Sequence, residues 1–390
     1  MKTLLSLIVI VFAWQMSVAQ SLTGYEIEVN VSHVNTKKIF LTTMKRTPAQ
    51  NLYWPVIDST SIIDGKGIFK RDSVLAEPSW SSGIYYVDTL SGKRMDFSFH
   101  NKAQNMGKHG NFILENARIK IYGDMKDASG LTITGSNETD MNMRYGLLQP
   151  NTSKINKLID AAKKKGDNKG LSVALSAKND SVRSFKQLLN KLTEQHPTSW
   201  MILINVYQNA SLLTPSELAE ITGKFDKTLL ATPKGKSLVN FTQRSKSLVI
   251  GAKFPTFNYV NSDGKRTTLD NVKGKRGTLI IFWASWCGPC RREIPELKKI
   301  YKSYTPKGIN MVSISTDHDI VAWRQAMKEE SMAWTNLSNL PGDGKIINST
   351  YNIYAIPSVF LLDAENKIVM PDEYDIPTIR EYIEKLLSRG

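Results

Sequence analysis

The sequence predicts an α/β domain at its C-terminal end, preceded by an antiparallel β domain and a helical segment. Three observations support this reading. From Tyr25 to about Ser136, short alternating apolar runs are separated by turn dipeptides such as Asp64-Gly65, a spacing typical of a small β-sandwich or barrel. Between about residues 137 and 247, apolar residues recur at helical spacing. From Ile250 onward, strand-like and helix-like stretches alternate, which indicates a sheet covered by helices.

The β-rich part contains the β-branched and aromatic runs that favour strands. The clearest are residues 25–31, 38–42, 56–57 with 61–63, 84–87, 111–114 and 119–122. We read residues 20–136 as one domain of unknown role.

The helical segment, residues 137–247, contains one stretch that is apolar on nearly every side, residues 200–206. Such a helix is expected to lie in the centre of a bundle. Another helix is expected to begin at Thr214-Pro215-Ser216-Glu217, because threonine caps a helix, proline suits its first position and glutamate completes the cap.

The last region, residues 248–390, alternates predicted strands with predicted helices. The strands are expected at residues 256–260, 267–269, 278–283, 309–314, 358–362 and 367–369, and the helices at residues 289–304, 319–329 and 376–387. Most of these helices separate consecutive strands, so we expect a parallel or mixed sheet.

The N-terminal end has the composition of a secretory signal. Lys2 precedes the apolar run 4–13, and Ser17-Val18-Ala19 offers small residues at a cleavage site. The run is shorter than the roughly 20 residues that span a bilayer, which argues against the alternative of a membrane anchor. We therefore expect residues 1–19 to be removed and the mature chain to be exported to the periplasm as a soluble protein.

The charge is strongly basic but evenly spread. Lys and Arg number 51 against 36 Asp and Glu, for a formal net charge of +15. A solvated basic surface accounts for this, and it could attract acidic partners or anionic membrane surfaces. The sequence has no nucleic-acid-binding motif, so no nucleic-acid partner is expected.

The two cysteines of the chain, Cys287 and Cys290, stand in Trp286-Cys287-Gly288-Pro289-Cys290, directly after the strand predicted at residues 278–283. An exported protein commonly uses cysteines in several structural disulfides, whereas this chain has a single close pair. The first sulfur would lie at a helix N-terminus, where free N–H groups stabilise a thiolate. Gly288 and Pro289 suit the turn into that helix. These features predict dithiol–disulfide exchange without a cofactor.

Residues 249–390 resemble the thioredoxin-like family, and within it the exported branch that includes TlpA-like proteins and cytochrome c maturation reductants. The resemblance depends on the motif at residues 282–290, on Pro295 inside the following helix, and on Ile356-Pro357 before the strand at 358–362. The β-rich region is similar to an uncharacterised domain that often precedes such modules, and this similarity implies no activity.

The resemblance implies a role for each site residue. Cys287 is expected to attack the substrate and Cys290 to release it. Ile356-Pro357 is expected to be a cis peptide beside the disulfide, although an ordinary proline at a strand entry is the alternative. The substrate groove would then consist of Trp286, Gly288, Pro289, Ile356 and Pro357.

Glu293 is expected to take the proton of Cys290. Cytoplasmic thioredoxins have an acid on the strand before the motif, where this chain has Ile281, whereas related exported reductants have a glutamate at the position of Glu293. The alternative is a solvated glutamate that pairs with Arg291 or Lys298.

The predicted function is that of a protein-disulfide reductase outside the cytoplasm, acting on disulfide-bearing proteins and recharged by a membrane-embedded electron donor. One alternative is a binding module at residues 20–247 with an accessory redox domain. A peroxiredoxin-like antioxidant is a second, although Ile280 and Ala284 replace the proline and threonine of that signature. A metal site is not expected, since His318 is the nearest histidine candidate and two thiolates alone form no complete ligand set.

Overall fold

The computed structural model describes residues 24–46, 52–101, 106–340, 347, 350–353, 355–373 and 375–389. The chain divides into two compact units, Met1–Leu147 and Leu148–Gly390. The predicted signal segment, residues 1–19, lies outside the described residues. Among the helices that are described, none combines the length and the apolar character needed to cross a membrane.

The first unit is built mainly of strands. They are β1 (Tyr25–Ser32), β2 (Lys38–Thr43), β3 (Lys45–Arg46), β4 (Leu52–Tyr53), β5 (Val56–Ser61), β6 (Lys66–Arg71), β7 (Ser79–Val87), β8 (Arg94–Asp96), β9 (Phe99–Asn101), β10 (Met106–His109), β11 (Phe112–Leu114), β12 (Arg118–Asp124) and β13 (Thr132–Thr134). One sheet has the order β13-β12-β1-β6, and a second has the order β11-β7-β2-β5 with β8 beside β7. Alternate residues of both sheets, including Ile27, Val29, Ile39, Leu41 and Ile84, form one buried cluster, as expected of two sheets packed face to face.

The strand pairs of this unit are antiparallel except for β1 with β12, which run parallel from Glu26–Arg118 to Ser32–Asp124. This pair departs from the purely antiparallel domain that the sequence predicts. A parallel pair needs a long crossover connection, and the chain between β1 and β12 passes through the second sheet.

The helix α1 (Asn137–Tyr145) also belongs to the first unit. The Ser136 side chain caps it, and Thr139 Oγ1 accepts a hydrogen bond from Ile113 N of β11 at 3.0 Å. The Glu115 carboxylate accepts from Ser136 Oγ and Glu138 N, and burial raises the pKa of Glu115. The division between the β domain and the helical segment at 136/137 stays a prediction, since the compact units separate eleven residues further on, between Leu147 and Leu148.

The second unit begins with a group of helices. They are α2 (Ser153–Lys165), α3 (Asn168–Gln195), α4 (Trp200–Gln208), α5 (Pro215–Gly223), α6 (Lys227–Leu230) and α7 (Pro233–Ser247). In α4 every residue from Trp200 to Val206 is buried, which confirms the predicted central helix. Thr214 and Glu217 form the predicted capping box at the start of α5.

The rest of this unit is a sheet covered by helices. Its elements are β14 (Asn258–Asn261), β15 (Arg266–Thr268), α8 (Leu269–Val272), β16 (Gly277–Trp283), α9 (Gly288–Tyr304), β17 (Ile309–Ser315), α10 (Ile320–Glu329), β18 (Thr335–Ser338), β19 (Ser358–Asp363), β20 (Ile368–Glu373) and α11 (Ile376–Ser388). Among the described residues the sheet order is β15-β14-β18-β17-β16-β19-β20, with β16 parallel to β17 and antiparallel to β19. This is the thioredoxin-like arrangement that the sequence predicts. The short strand β18 has no counterpart in that prediction.

Each face of this sheet has its own core. Leu279 and Ile281 of β16 pack towards α9 and α11, whereas Ile280 and Phe282 pack with Phe254 on the other side. Successive side chains of a strand point to opposite faces of the sheet, and β16 is buried on both faces, so its alternate residues enter different cores. The same strand therefore contributes to the packing on both sides of the sheet.

Asn352 connects the helical segment to the α/β region. Its Nδ2 donates to Phe241 O and Ser245 Oγ at 3.1 and 2.8 Å, and its Oδ1 accepts from Arg244 Nε at 3.3 Å. Its φ of 53° lies in the left-handed region, which asparagine tolerates better than most residues. Both the side chain and the backbone at this position therefore favour asparagine.

We expect Asn352→Gly to lower the free energy of unfolding by about 1–3 kcal/mol, because it removes three hydrogen bonds and keeps the backbone conformation. Asn352→Ala should cost roughly 1 kcal/mol more, since alanine is strained at this φ. Denaturant titration of both variants measures the two contributions. Asn366→Gly is a matched control, because Asn366 has a φ of 61° and its side chain donates one hydrogen bond, to Asp270. Equal stability of Asn352→Gly and the parent would contradict the role of the side chain.

Candidate active site

The cysteine pair lies where β16 ends and α9 begins. All seven residues of β16 are buried, so the chain reaches the edge of the sheet at Ala284 and turns there. Cys287 is the N-cap residue of α9, and its Sγ accepts the backbone N–H of Cys290 at 3.1 Å. The two cysteines form a disulfide. A sulfur at this point is well placed to be stabilised as a thiolate after reduction.

A second backbone segment approaches the first sulfur. The carbonyl oxygen of Ile356 lies 3.6 Å from Cys287 Sγ, and the Ile356–Pro357 peptide bond is cis. Because a disulfide sulfur has no hydrogen, this contact can become a hydrogen bond only when Cys287 is a protonated thiol. The structure therefore brings the cysteine motif and Ile356-Pro357 together, as the resemblance implies.

The exposure of the site differs sharply between neighbouring residues. Cys287 and Cys290 are 4% and 3% exposed, whereas the Trp286 side chain is 68% exposed. Gly288 is exposed, and Ile356 and Pro357 are half-buried. Trp283, the last residue of β16, is 2% exposed. A protruding aromatic residue beside a recessed disulfide leaves apolar surface that a polypeptide could cover.

Asp317 fixes the turn that precedes Cys287. Its carboxylate accepts hydrogen bonds from Ser285 N at 2.9 Å, Ser285 Oγ at 2.6 Å and Ser315 Oγ at 2.7 Å. The residue is 2% exposed, so its charge is compensated by these donors. The loop before Cys287 is thus attached to the end of the neighbouring strand β17.

Sequence reasoning did not assign a role to Asp317. A usable signal was present, because Ser315, Thr316 and Asp317 follow a buried strand, and side chains at the carboxyl ends of parallel strands meet at one edge of a sheet. The pairing with Ser285 depends on the register of β16 and β17, in which Trp283 is opposite Ser315.

Glu293 lies in the second turn of α9 and is partly buried. Within the described part of the chain it makes no hydrogen bond or ion pair. Arg291, one of its predicted alternative partners, instead donates to Glu330 and Glu329, each at 2.7 Å. Hydrogen bonding to Glu330 and then Glu329 raises the pKa of the Arg291 guanidinium. Among the described residues, no cation therefore pairs with the Glu293 carboxylate.

The sequence raised two other kinds of site, a metal site at His318 and a peroxide site at Ile280 and Ala284. His318 is exposed, and the described residues contain no group of three metal-ligating side chains. Ile280 and Ala284, which occupy the two peroxiredoxin signature positions, are 0% exposed and pack in the core. Neither side chain can bind a peroxide through hydrogen bonds.

Comparisons with known proteins concern this region. Residues 250–382 match the family model described as Redoxin. The thiol-disulfide oxidoreductase ResA of Bacillus thuringiensis subsp. konkukian is 28% identical over 148 residues, which are 37% of this chain and 83% of that protein. ResA of Bacillus subtilis is 29% identical over 124 residues, which are 32% of this chain and 67% of that protein. The solution structure of a thiol:disulfide interchange protein from Bacteroides sp. has 30% identity, covers 36% of this chain and 92% of its own, and has a TM-score of 0.34.

The family model begins at residue 250 and does not extend to the β-rich unit or to the helices α1–α7. The residues that it does match include the disulfide, the turn held by Asp317 and the cis peptide. Residues 250–382 are therefore a redoxin domain with the thioredoxin-like fold, and in this region the chain is similar to thiol-disulfide oxidoreductases.

Proposed function

We propose that this protein reduces disulfide bonds of other proteins outside the cytoplasm through the Cys287–Cys290 dithiol. The observation that carries the proposal is the position of Cys287 Sγ, which caps α9, accepts the Cys290 N–H and lies beside the Ile356 carbonyl. The helix N-terminus favours the charged thiolate that attacks, and the carbonyl supplies an edge along which a substrate chain can pair.

The reaction proceeds through two exchanges. The Cys287 thiolate attacks one substrate sulfur, a Cys287–substrate disulfide forms, and the other substrate sulfur leaves as a thiolate. Cys290 then loses its proton and attacks Cys287 Sγ, which restores the intramolecular disulfide and releases the second substrate thiolate. The substrate gains two electrons and two protons, and the protein dithiol loses them.

The neighbouring residues take the roles that the family resemblance implies. Trp286, Gly288, Pro289, Ile356 and Pro357 form the substrate groove. Glu293 accepts the proton of Cys290, a role that suits a partly buried carboxylate without a bound cation.

The compartment and the electron donor in this proposal both follow from export of the chain. The signal-like residues 1–19 direct the chain out of the cytoplasm, and disulfide-bearing proteins are abundant in that compartment. Each turnover oxidises the dithiol, so an electron donor must reduce it again. A membrane-embedded donor is the expected source because the cytoplasmic reductants lie across the membrane.

The direction of the reaction is tested by the reduction potential of the Cys287–Cys290 pair. We expect a value near that of thioredoxin, about −270 mV, and far from the roughly −120 mV of strong oxidants. Thiol trapping of the purified protein across a dithiothreitol redox series measures it. A value near that of the oxidants would make the protein a disulfide donor and contradict the proposal.

The assignment of the nucleophile is tested by two single substitutions. Cys287→Ser should abolish insulin reduction, because the attacking sulfur is absent. Cys290→Ser should instead accumulate mixed disulfides with substrate proteins, because the release step is blocked. The double serine variant is the control, and partners that it captures equally well are bound without exchange. Insulin turnover by Cys287→Ser would refute the assignment.

The role of Glu293 is tested by Glu293→Gln, which preserves shape and removes the proton acceptor. We expect the release step to slow by about 10²-fold, within the range of general base catalysis, while formation of the mixed disulfide stays close to the parent rate. Stopped-flow measurement of both steps between pH 5 and 9 separates them. Glu296→Gln on the same helix is the control, since Glu296 pairs with Lys299 and Arg380. An unchanged pH profile of the release step would remove Glu293 from the mechanism.

A further inference from the structure

A groove of about 870 Å³ opens beside the sheet, away from the residues assigned to the reaction. It is bounded by the outer side of α10, the start of β18 and the turn between β14 and β15. We name it the α10 groove and define it by Arg324, Lys328, Met332, Trp334, Asn336 and Asp263. Its volume lies within the range of ligand-binding clefts.

One wall of the α10 groove contains a buried acceptor that lacks a donor. The Asn336 amide nitrogen donates to Trp334 O at 2.6 Å, which fixes the orientation of the amide. Within the described parts of the chain, its Oδ1 is shielded from solvent and has no hydrogen-bond partner. Asn336 itself is 9% exposed. An unpaired buried oxygen costs free energy, so a ligand N–H that reaches this oxygen through a small shift of the groove wall would remove that cost.

The rim of the α10 groove is basic. Arg324 and Lys328 are exposed on successive turns of α10 and form no ion pair within the described parts of the chain. The nearby Glu329 does not neutralise them, because its carboxylate accepts hydrogen bonds from Arg291 and Gln325. Asp263 also lines the groove, in the turn after β14, where Ser262 Oγ donates to it.

The floor of the groove is apolar. Trp334 is 5% exposed and contacts the Tyr301 ring, and the side chains of Met327 and Met332 lie beside it. Methionine side chains adapt to ligands of different shape. The groove thus offers apolar contacts, an amide and two cations that have no ion pair among the described residues.

We propose that the α10 groove binds an extended acidic segment of a partner protein that also contains apolar residues. Acidic side chains would pair with Arg324 and Lys328, apolar ones would cover Trp334, and a backbone N–H would donate to Asn336 Oδ1. This deepens the proposed function, on which it rests, by naming a property of the proteins that the enzyme acts on or receives electrons from.

A structural link connects the groove with the reaction centre. Glu329 and Glu330, at the end of α10, bind Arg291, which directly follows Cys290 in the first turn of α9. The helix that carries the two free cations is therefore held against the helix that carries the disulfide. A partner bound along α10 is attached to the same rigid layer as the cysteine pair.

The binding test uses two peptides without cysteine that carry fluorescein on the N-terminal nitrogen, Glu-Leu-Glu-Ile-Glu-amide and its analogue with lysine in place of each glutamate. Fluorescence anisotropy with the full-length oxidised protein should detect the acidic peptide and not the basic one. In the double variant Arg324→Glu/Lys328→Glu the acidic peptide should bind at least about tenfold more weakly, since two attractive charges become repulsive. The matched control, Lys227→Glu/Lys236→Glu, reverses two exposed charges on α6 and α7 and should bind like the parent.

Asn336→Leu tests the unpaired oxygen separately. It should weaken the binding of the acidic peptide by about fivefold, the value of one hydrogen bond. Retained affinity would show that Asn336 makes no contact with the ligand, and it would overturn that part of the proposal.

Insulin turnover distinguishes failure of this inference from failure of the proposed function. Two results with normal insulin turnover would overturn the α10 groove as a binding site and leave the reductase proposal intact. One is equal binding of the two peptides, and the other is an equal loss of peptide affinity in both double variants. Binding to phosphatidylglycerol vesicles that depends on Arg324 and Lys328, without peptide binding, also overturns it in favour of a membrane contact. Absent turnover in the parent overturns the proposed function itself.

Discussion

The hydrogen bond from the Cys290 N–H to Cys287 Sγ is the interaction around which the candidate active site is arranged. It makes this sulfur the cap of α9, so the dipole of a 17-residue helix acts at Cys287 Sγ. Three elements have to meet for this to happen. The strand β16 brings the chain to the sheet edge, Asp317 at the end of β17 holds the turn, and the segment before β19 places the Ile356 carbonyl beside the sulfur. All three belong to neighbouring strands, so the strand register determines the geometry of the site.

The charged residues near the disulfide differ in whether they are paired. Arg291 is the cation nearest in sequence to the cysteine pair, yet its guanidinium is occupied by Glu329 and Glu330. It therefore fastens α10 to α9 instead of neutralising Glu293. Asp317 is satisfied by serine donors. Glu293 on α9 is partly buried and has no hydrogen-bond or ion-pair partner among the residues that the structure describes. Such a group can exchange a proton without first breaking an ion pair.

Contacts at Tyr351 and Asn352 join the helical segment to the thioredoxin-like domain. Asn352 binds three groups of α7, and the adjacent Tyr351 is buried against Phe254 in the core of the sheet. The helical segment is thus fastened to the chain five residues before Pro357. Burial of Tyr351 and the hydrogen bonds of Asn352 therefore hold these two residues against the sheet core and α7. The β-rich unit is a separate compact body with its own core.

The sequence by itself determined the features that depend on neighbouring residues. The buried strand β16, the cap at Cys287, the central helix α4 and the capping box at Thr214 were all predictable, because hydrophobic periodicity and helix capping act within a few positions. Only the tertiary structure decided the rest. The parallel pairing of β1 with β12, the extra strand β18, the contact of Asp317 with Ser285, and the placement of Arg324 and Asn336 in one groove join residues that are distant or not periodic in the chain. Their energies come from register, burial and hydrogen bonds that exist only after the strands and helices have packed.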